Sequence, residues 1–137
     1  MSNRIHANIV YWQSIKYKRV TRSVLAFKLY VIALGFDQGS VIKATLESIL
    51  NKKQILLVIC TNSCLLFDYL VKLGTIYKKR LIINIICLRQ SYKRQEIAEV
   101  LWINSNTNPA DAMTKSRPYQ VLKELIDTNK VNIEPIE

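Results

Sequence analysis

The chain has 137 residues, enough for one modest domain. Half of the residues are hydrophobic, so the composition excludes a wholly disordered chain. With 20 lysine and arginine residues against 10 aspartate and glutamate residues, the formal net charge is +10. This balance favours polyanionic partners such as RNA, DNA or an acidic membrane surface, and a solvated basic surface without a partner is the simpler alternative.

The three cysteines, Cys60, Cys64 and Cys87, are odd in number and lie in apolar runs. Residues 1–6 lack the apolar core of a secretory signal, so we expect reduced thiols in an intracellular protein, cytoplasmic or nuclear. A zinc site is not expected, because His6 is the single histidine and the sequence contains no Cys-x-x-Cys pair.

The amino-terminal third begins with a strand signal and continues into a long helix. Residues 7–14 are rich in β-branched and aromatic side chains, which predicts a strand. A basic loop over residues 16–22 follows, and a helix is predicted over Val24–Leu50. A break near Gly35 or Gly39 is the alternative to one continuous helix.

The predicted long helix has Ser23 in position to cap its first turn. Its apolar face consists of four side chains at helical spacing: Leu25, Leu29, Ile32 and Phe36. The longest near-apolar run, residues 24–36, is too short to span a bilayer and contains Lys28. We therefore expect no membrane partner.

The middle of the chain alternates between strand and helix signals. Residues 55–61 form a continuous apolar run, which is typical of a central strand buried on both faces. Helices are predicted over residues 65–73, ended by Gly74, and over residues 79–92.

The last third begins with a further strand, predicted over residues 100–103. Asn108 and Pro109 then occur in the order expected for a helix cap and first turn. A last amphipathic helix is predicted over residues 119–127, and residues 128–137 form a polar tail.

Several segments resemble one known domain. Residues 106–115 have the sequence Asn-Thr-Asn-Pro-Ala-Asp-Ala-Met-Thr-Lys. They resemble the last catalytic segment of the ribonuclease H domain that ends the polyprotein of Ty1/copia-type retrotransposons, where the pattern is Asn-x-Ala-Asp-x-x-Thr-Lys. Earlier segments resemble further pieces of that domain in the same order: residues 8–16, 23–30, 58–63 and 80–89.

The resemblance implies one truncated α/β domain over residues 1–137, with its core in residues 7–127. It would have a partial ribonuclease H-like fold, with a mixed sheet of about three strands packed with helices. The first two strands of the family would be missing. Either residues 8–14 would then pair with residues 55–61, or an apolar sheet edge over residues 55–59 would be open to another chain.

In that family, four carboxylates hold two magnesium ions about 3.5–4 Å apart. Asp111 matches the fourth of these acids, whereas the first-strand aspartate has no counterpart. Lys28 stands in place of the glutamate on the first helix, and Asn62 stands in place of the aspartate after the fourth strand. Asn84 stands in place of a further, non-ligating aspartate. Because an ammonium group repels a divalent cation, we expect no metal cofactor and no ribonuclease activity.

Each of these positions also has a structural interpretation. Asp111 suits the first turn of a helix, where an acid stabilises by a few tenths to about 1 kcal/mol. Lys28 either extends its ammonium group to solvent or forms an ion pair with Asp111. Asn62 suits either a ligand position at the end of a strand or a tight turn with left-handed backbone angles.

Two basic clusters are candidate nucleic-acid contacts, and each is equally suited to be an ordinary solvated surface. The first, with Tyr11, Trp12 and Tyr17 interleaved, consists of Lys16, Lys18, Arg19 and Arg22. The second consists of Lys78, Lys79, Arg80, Arg89, Lys93 and Arg94.

The expected function is that of a catalytically inactive ribonuclease H-like remnant of a retrotransposon polyprotein. At most, it would bind RNA, DNA or their hybrid weakly and without sequence preference. One alternative is a protein-interaction fragment that pairs with an element-encoded polymerase. The other is an open reading frame without a function.

Overall fold

The structure, a computed structural model, describes residues 4–14, 24–52, 54–72, 79–114, 116 and 119–136. In chain order its elements are β1 (Arg4–His6), α1 (Val24–Leu50), β2 (Val58–Thr61), α2 (Cys64–Leu70), α3 (Ile82–Lys93), β3 (Glu99–Trp102), α4 (Gln120–Thr128) and β4 (Lys130–Asn132). Short 3₁₀ helices cover Lys79–Leu81, Ser105–Thr107 and Pro109–Thr114. The protein is of mixed α/β class, as the sequence predicted.

The strands of the described residues form two separate two-stranded sheets. β1 pairs antiparallel with β4, and β2 pairs with β3. The prediction of one mixed sheet of about three strands is therefore wrong. Two of the predicted strands pair with each other as β2 and β3, whereas the third, over residues 7–14, is not formed, and β4, within residues predicted to be a polar tail, instead pairs with β1.

The chain divides into two compact units. Unit 1 consists of Met1–Val20 and Trp102–Glu137, and unit 2 consists of Thr21–Leu101. The elements of each unit pack within that unit as described below.

Unit 2 contains the larger apolar core. Helix α1 packs against α2 and α3, and the loop after α3 adds further apolar side chains. The buried members of this core are Leu29, Leu66, Tyr69, Leu70, Leu81, Ile85, Leu88, Ile97 and Val100. Each fully buried aliphatic side chain stabilises the fold by roughly 1.5–3 kcal/mol, so this cluster holds the helices together.

Helix α1 runs without a break over Val24–Leu50, as predicted. Its predicted apolar face is confirmed, because Leu29 is fully buried and Leu25, Ile32 and Phe36 pack against the core. The predicted cap, Ser23, lies outside the described residues. Neither glycine interrupts the helix: Gly39 lies against the side chain of Leu57, and Gly35 has open space around it.

Helix α1 is the one helix of the described part whose length and apolar composition suffice to cross a membrane. The sequence analysis judged membrane spanning from the apolar run of residues 24–36 alone and not from the whole predicted helix. These two properties also occur in core helices and signal sequences, and on their own they are weak support for a membrane. Nothing else in the described part of the chain indicates a membrane partner.

Strand β2 is shorter and more exposed than the sequence predicted. It covers Val58–Thr61, and Val58 is exposed while Ile59 and Cys60 are half-buried. Burial on both faces is therefore wrong for this strand. Burial on both faces requires packed elements on both sides of the sheet, and three of the four side chains of β2 stay partly or fully accessible.

Unit 1 is organised by the β1–β4 ribbon and by α4. The register pairs Arg4 with Asn132, Ile5 with Val131, and His6 with Lys130. Val131 is buried, together with Leu125 of α4 and Ile103. Helix α4 ends at Asn129, whose φ of 54° is left-handed and turns the chain directly into β4.

The strand predicted over residues 7–14 is not formed. The backbone N–H of Ala7 donates to the carbonyl of Asn129 at 2.9 Å, which continues the β1–β4 ribbon by one bond. In the described part of the chain no strand pairs with the residues that follow. High β propensity therefore gives no strand here, because ladder partners are lacking.

Candidate functional site

The positions singled out from the sequence fall in different units. Asp111 belongs to unit 1, whereas Lys28, Asn62 and Asn84 belong to unit 2. Lys28 is half-buried on α1, and Asn84 is half-buried on α3. The predicted ion pair between Lys28 and Asp111 therefore stays a prediction.

The segment around Asp111 is a succession of tight turns that asparagine side chains support. The Asn104 side chain accepts from the N–H of Asn106 at 3.0 Å and caps the 3₁₀ helix Ser105–Thr107. The Asn108 side chain likewise accepts from the N–H of Ala110 at 3.1 Å. Asn108 was predicted to cap a helix at this point, and it does, although the helix Pro109–Thr114 is 3₁₀.

Asp111 lies in the first turn of this 3₁₀ helix, and its N–H donates to the carbonyl of Asn108 at 3.2 Å. It is half-buried. An acid in the first turn interacts favourably with the exposed N–H groups there. This geometry accords with the structural role that the sequence suggested for Asp111.

Tyr119 connects α4 to the turn segment. Its hydroxyl donates to the carbonyl of Ser105. Burial and, secondarily, the carboxylate of Asp111 raise the pKa of the Tyr119 phenol. Asp111 and Tyr119 are thus electrostatic neighbours, which no sequence signal indicated because they lie on different elements.

The residues at the end of β2 form the cap of helix α2. The hydroxyl of Thr61 accepts from the N–H of Ser63 at 3.1 Å, and the hydroxyl of Ser63 accepts from the N–H of Leu66 at 3.4 Å. Asn62, between them, is half-buried. Positive φ angles occur among described non-glycine residues at Asn51, Gln95 and Asn129, so the left-handed turn suggested for Asn62 is wrong.

A thiol lies close to this strand end. Burial raises the pKa of Cys60, and the nearby carboxylate of Glu99 raises it further. The thiol is therefore held in its protonated form, which is a poor nucleophile. Cys60 is suited to packing and not to catalysis.

The positions that the resemblance matches to metal-binding acids offer few carboxylate oxygens as ligands. Among the described residues, no three of the histidine, cysteine, aspartate and glutamate side chains are grouped as a metal site would require. Hard divalent cations bind clustered oxygen ligands, with carboxylates to offset their charge. In unit 2 the two positions of interest are an ammonium, Lys28, and a neutral amide, Asn62.

The first basic cluster, Lys16, Lys18, Arg19 and Arg22, lies outside the described residues. Its sequence context is nevertheless informative. Residues 1–36 contain six lysine and arginine residues and no aspartate or glutamate. The first acid of the chain is Asp37.

Two charged residues of the β1–β4 ribbon, Arg4 and Lys130, were not part of the basic clusters predicted from the sequence. Directly paired residues of an antiparallel ribbon lie on the same face, and alternate residues share that face. Arg4, His6 and Lys130 therefore lie on one face, opposite the buried Val131. The available signal was the alternation of polar and apolar residues over residues 4–6 and 130–132.

The aromatic side chains next to this ribbon are exposed. Trp12 is 65% exposed and Tyr11 is 51% exposed, within residues that have no helix or strand structure. Tyr11 and Trp12 lie five and four residues before Lys16 in the sequence. The exposed rings of unit 1 are therefore close in sequence to the first basic cluster.

The second basic cluster is divided by the structure. Arg89 of α3 is half-buried and its Nε donates to the carbonyl of Tyr69 at 2.6 Å, so it links α3 to α2. Lys93 and Arg94 are exposed at the end of α3, and Lys79 is exposed in the preceding 3₁₀ helix. Lys78 lies outside the described residues. Arg89 thus has a structural role that makes it a weak candidate for phosphate contact.

An open groove of about 550 Å³ lies in unit 2 beside α1. Its polar lining includes Asp37, Glu47 and Glu96, and Lys43 lies 3.9 Å from Glu47. This surplus of carboxylates repels phosphate. The groove is therefore not suited to nucleic acid.

Comparison of the chain with protein-family models, with curated proteins and with solved structures gave no match in any of the three. The resemblance to retrotransposon ribonuclease H therefore stays a prediction from the sequence.

Proposed function

We propose that this protein binds nucleic acid without sequence preference, through its basic amino-terminal region, and does not hydrolyse it. The observation that carries the proposal is the uneven charge: residues 1–36 contain six lysine and arginine residues and no acid. Lysine and arginine side chains bind phosphates by displacing condensed counterions, which requires no base contacts. Arg4, one of these six residues, shares a face of the β1–β4 ribbon with His6 and Lys130.

The absence of hydrolysis is proposed from the resemblance to retrotransposon ribonuclease H. On that alignment, Lys28 and Asn62 replace two metal-binding acids, and Asp111 is a vestige of the site. Two-metal hydrolysis needs clustered carboxylates to bring the ions together. A cation binding beside the Lys28 ammonium is opposed by charge repulsion. No magnesium cofactor is therefore proposed.

Binding is tested by fluorescence anisotropy with labelled single strands, DNA duplexes and RNA/DNA hybrids of unrelated sequences. We expect similar affinities across sequences and a steep fall in affinity with salt, because each phosphate contact contributes about −0.7 to −0.9 to the slope of log K against log salt. Affinity that is insensitive to salt would contradict the proposal. Cleavage of a labelled hybrid in magnesium buffer would overturn the inactive assignment.

The location of the surface is tested with two variants of equal charge change. One replaces Lys16, Lys18, Arg19 and Arg22 with alanine, and the other replaces Lys43, Lys52, Lys72 and Lys123. Lys43 and Lys72 lie close to acids, at 3.9 Å from Glu47 and 3.3 Å from Asp68. The first variant should lose most of the affinity and flatten the salt slope, whereas the second should retain most of it.

A second candidate function is protein interaction, and the observation that favours it lies on α1. Val24, Val31, Leu34 and Val41 are exposed and are separated by seven, three and seven residues. Such spacing aligns side chains along one helix face, here opposite the packed face of Leu29, and suits a helix from another polypeptide. From the resemblance, an element-encoded polymerase is the proposed partner.

The interaction is tested by light scattering over a range of concentrations and by co-purification with the polymerase after nuclease treatment. Val31→Lys should abolish association, because it places a charge at the centre of the exposed apolar face. Ser48→Lys, at an exposed position of the same helix, is the matched control. Equal association of both variants would exclude this face of α1.

A further inference from the structure

We infer that Tyr11 and Trp12 stack on unpaired bases, so that the protein binds single-stranded nucleic acid in preference to duplexes. This inference rests on the proposed function and specifies its substrate class. It depends on three observations in unit 1. The two rings are exposed, their segment is hydrogen-bonded to the β1–β4 ribbon, and that segment contains basic residues and no acid.

The exposed rings of Tyr11 and Trp12 lie on a segment whose first residue is hydrogen-bonded to the β1–β4 ribbon. The N–H of Ala7 donates to the carbonyl of Asn129 at 2.9 Å, which ties the segment to the β1–β4 ribbon. Beyond this bond, Tyr11 is 51% exposed and Trp12 is 65% exposed. The Tyr11 hydroxyl donates to the side chain of Gln13 at 3.1 Å, so its polar end has a partner while much of the ring is exposed.

Exposed aromatic rings could cover an apolar partner or a nucleobase, and the surrounding charge favours the nucleobase. No acidic residue occurs in residues 1–36, and Arg4 and Lys130 lie on one face of the adjoining ribbon. A segment that contains exposed rings, several basic residues and no acid is complementary to a partner that carries phosphates and flat π-systems. Single-stranded nucleic acid has both properties, and proteins bind it with a basic surface and stacking aromatic side chains.

The preference for single-stranded over duplex nucleic acid then follows from the geometry of base stacking. In a duplex, both faces of each base are occupied by its neighbours, so a protein ring stacks only after a base has been displaced. In a single strand the base faces are accessible. Lysine and arginine contacts to phosphate exist in both forms, so the aromatic pair supplies the difference in affinity between them.

The experiment measures binding of oligo(dT) and of a DNA duplex of equal charge by the full chain. Trp12→Ala should weaken oligo(dT) binding by about 5- to 150-fold, the equivalent of one stacked base, and should leave duplex binding nearly unchanged. Tyr11→Ala should act in the same direction. Val10→Ala removes a neighbouring side chain that is 69% exposed but not aromatic, and it should change neither affinity.

A second measurement uses the fluorescence of Trp12. Oligo(dT) should quench the tryptophan emission of the wild-type chain. Trp12→Phe retains Trp102 and keeps an aromatic ring at position 12. This variant should lose the quenching but keep most of the affinity for oligo(dT). Equal losses for single strand and duplex in Trp12→Ala, or no loss in either, would overturn the inference and leave the proposed function intact. Failure of the wild-type chain to bind either ligand would overturn both.

Discussion

In unit 1 the phenol of Tyr119 lies close enough to the carboxylate of Asp111 for that charge to contribute to its raised pKa. The pKa of Tyr119 is raised by burial first and by Asp111 second. The same phenol donates a hydrogen bond to the carbonyl of Ser105, in the turn segment that leads to Asp111. Asp111, which the resemblance matches to a metal-binding acid, therefore influences the pKa of Tyr119, and the hydrogen bond of Tyr119 stabilises the turn segment.

Replacing Asp111 with asparagine should lower the pKa of Tyr119 towards its ordinary value of about 10. The remaining elevation should come from burial, which the substitution does not alter. Carbon-13 labelling of the tyrosine rings allows the titration of Tyr119 to be followed by NMR. Asp127→Asn, at an exposed position of α4, should leave this pKa unchanged. An unchanged pKa in Asp111→Asn would show that the two groups are not coupled.

The raised pKa of Tyr119 also predicts a dependence of stability on pH. Because the folded-state pKa lies above the unfolded one, the stabilisation is present below about pH 10 and is lost as pH rises through the folded-state pKa. Tyr119→Phe should remove this dependence and cost about 0.5–1.5 kcal/mol at neutral pH through the lost hydrogen bond. Urea unfolding at pH 7 and at pH 11 measures both effects.

Leu29 and Leu34 test the two faces of α1. Leu29 is fully buried in the core of unit 2, so Leu29→Ala should lower the free energy of unfolding by about 2–5 kcal/mol. Leu34 is 43% exposed, and Leu34→Ala should cost less than about 1 kcal/mol. Urea denaturation of the two variants makes the comparison. Similar losses for both would mean that the exposed face of α1 is packed in solution.

The two glycines of α1 form a second matched pair. Gly35 has no heavy atom within 4 Å of an added Cβ, so Gly35→Ala should stabilise the helix by about 0.5–1 kcal/mol. The same substitution at Gly39 would bring the new Cβ within 2.9 Å of a methyl group of Leu57. The Leu57 side chain must then move, so Gly39→Ala should gain less than Gly35→Ala. Thermal denaturation by circular dichroism ranks them.

Alkylation should distinguish the three cysteines. Cys64 and Cys87 are exposed, whereas Cys60 is half-buried with a pKa raised by burial and by Glu99. Iodoacetamide at pH 8 should therefore modify Cys64 and Cys87 first, and Cys60 most slowly, because the thiolate is the reactive form. Mass spectrometry of peptides over time gives the order. Glu99→Gln should accelerate modification of Cys60, and modification of Cys60 ahead of the exposed thiols would contradict this prediction.

The helices of unit 2 could be predicted from the sequence because their signals are local. The inward face of Leu29 follows from apolar side chains at helical spacing over residues 25–36. Helix α2, predicted over residues 65–73, covers Cys64–Leu70, and the side chain of Ser63 caps its start.

The sheets could not be predicted, because their partners are distant in sequence. Residues 7–14 have strong β propensity, yet no strand pairs with them among the residues that the structure describes, whereas Lys130–Asn132 looked like a polar tail and pairs with Arg4–His6. Propensity describes how well a side chain fits a sheet and does not identify a partner strand. For the same reason, Arg4 and Lys130 could not be recognised as neighbours before the register was known.

The pairing of β1 with β4 has a consequence for the order of folding. Unit 1 is made of two segments that flank Thr21–Leu101 in the sequence, so its ribbon closes a loop that includes these residues. The loop that the His6–Lys130 pair closes has about 120 residues, and closing a flexible loop of that length costs roughly 4 kcal/mol of chain entropy, a cost that a compact intervening segment lowers. Unit 2, which is rich in local helical contacts, should therefore fold first, and the amides of the ribbon should be the last to gain protection in pulsed hydrogen exchange.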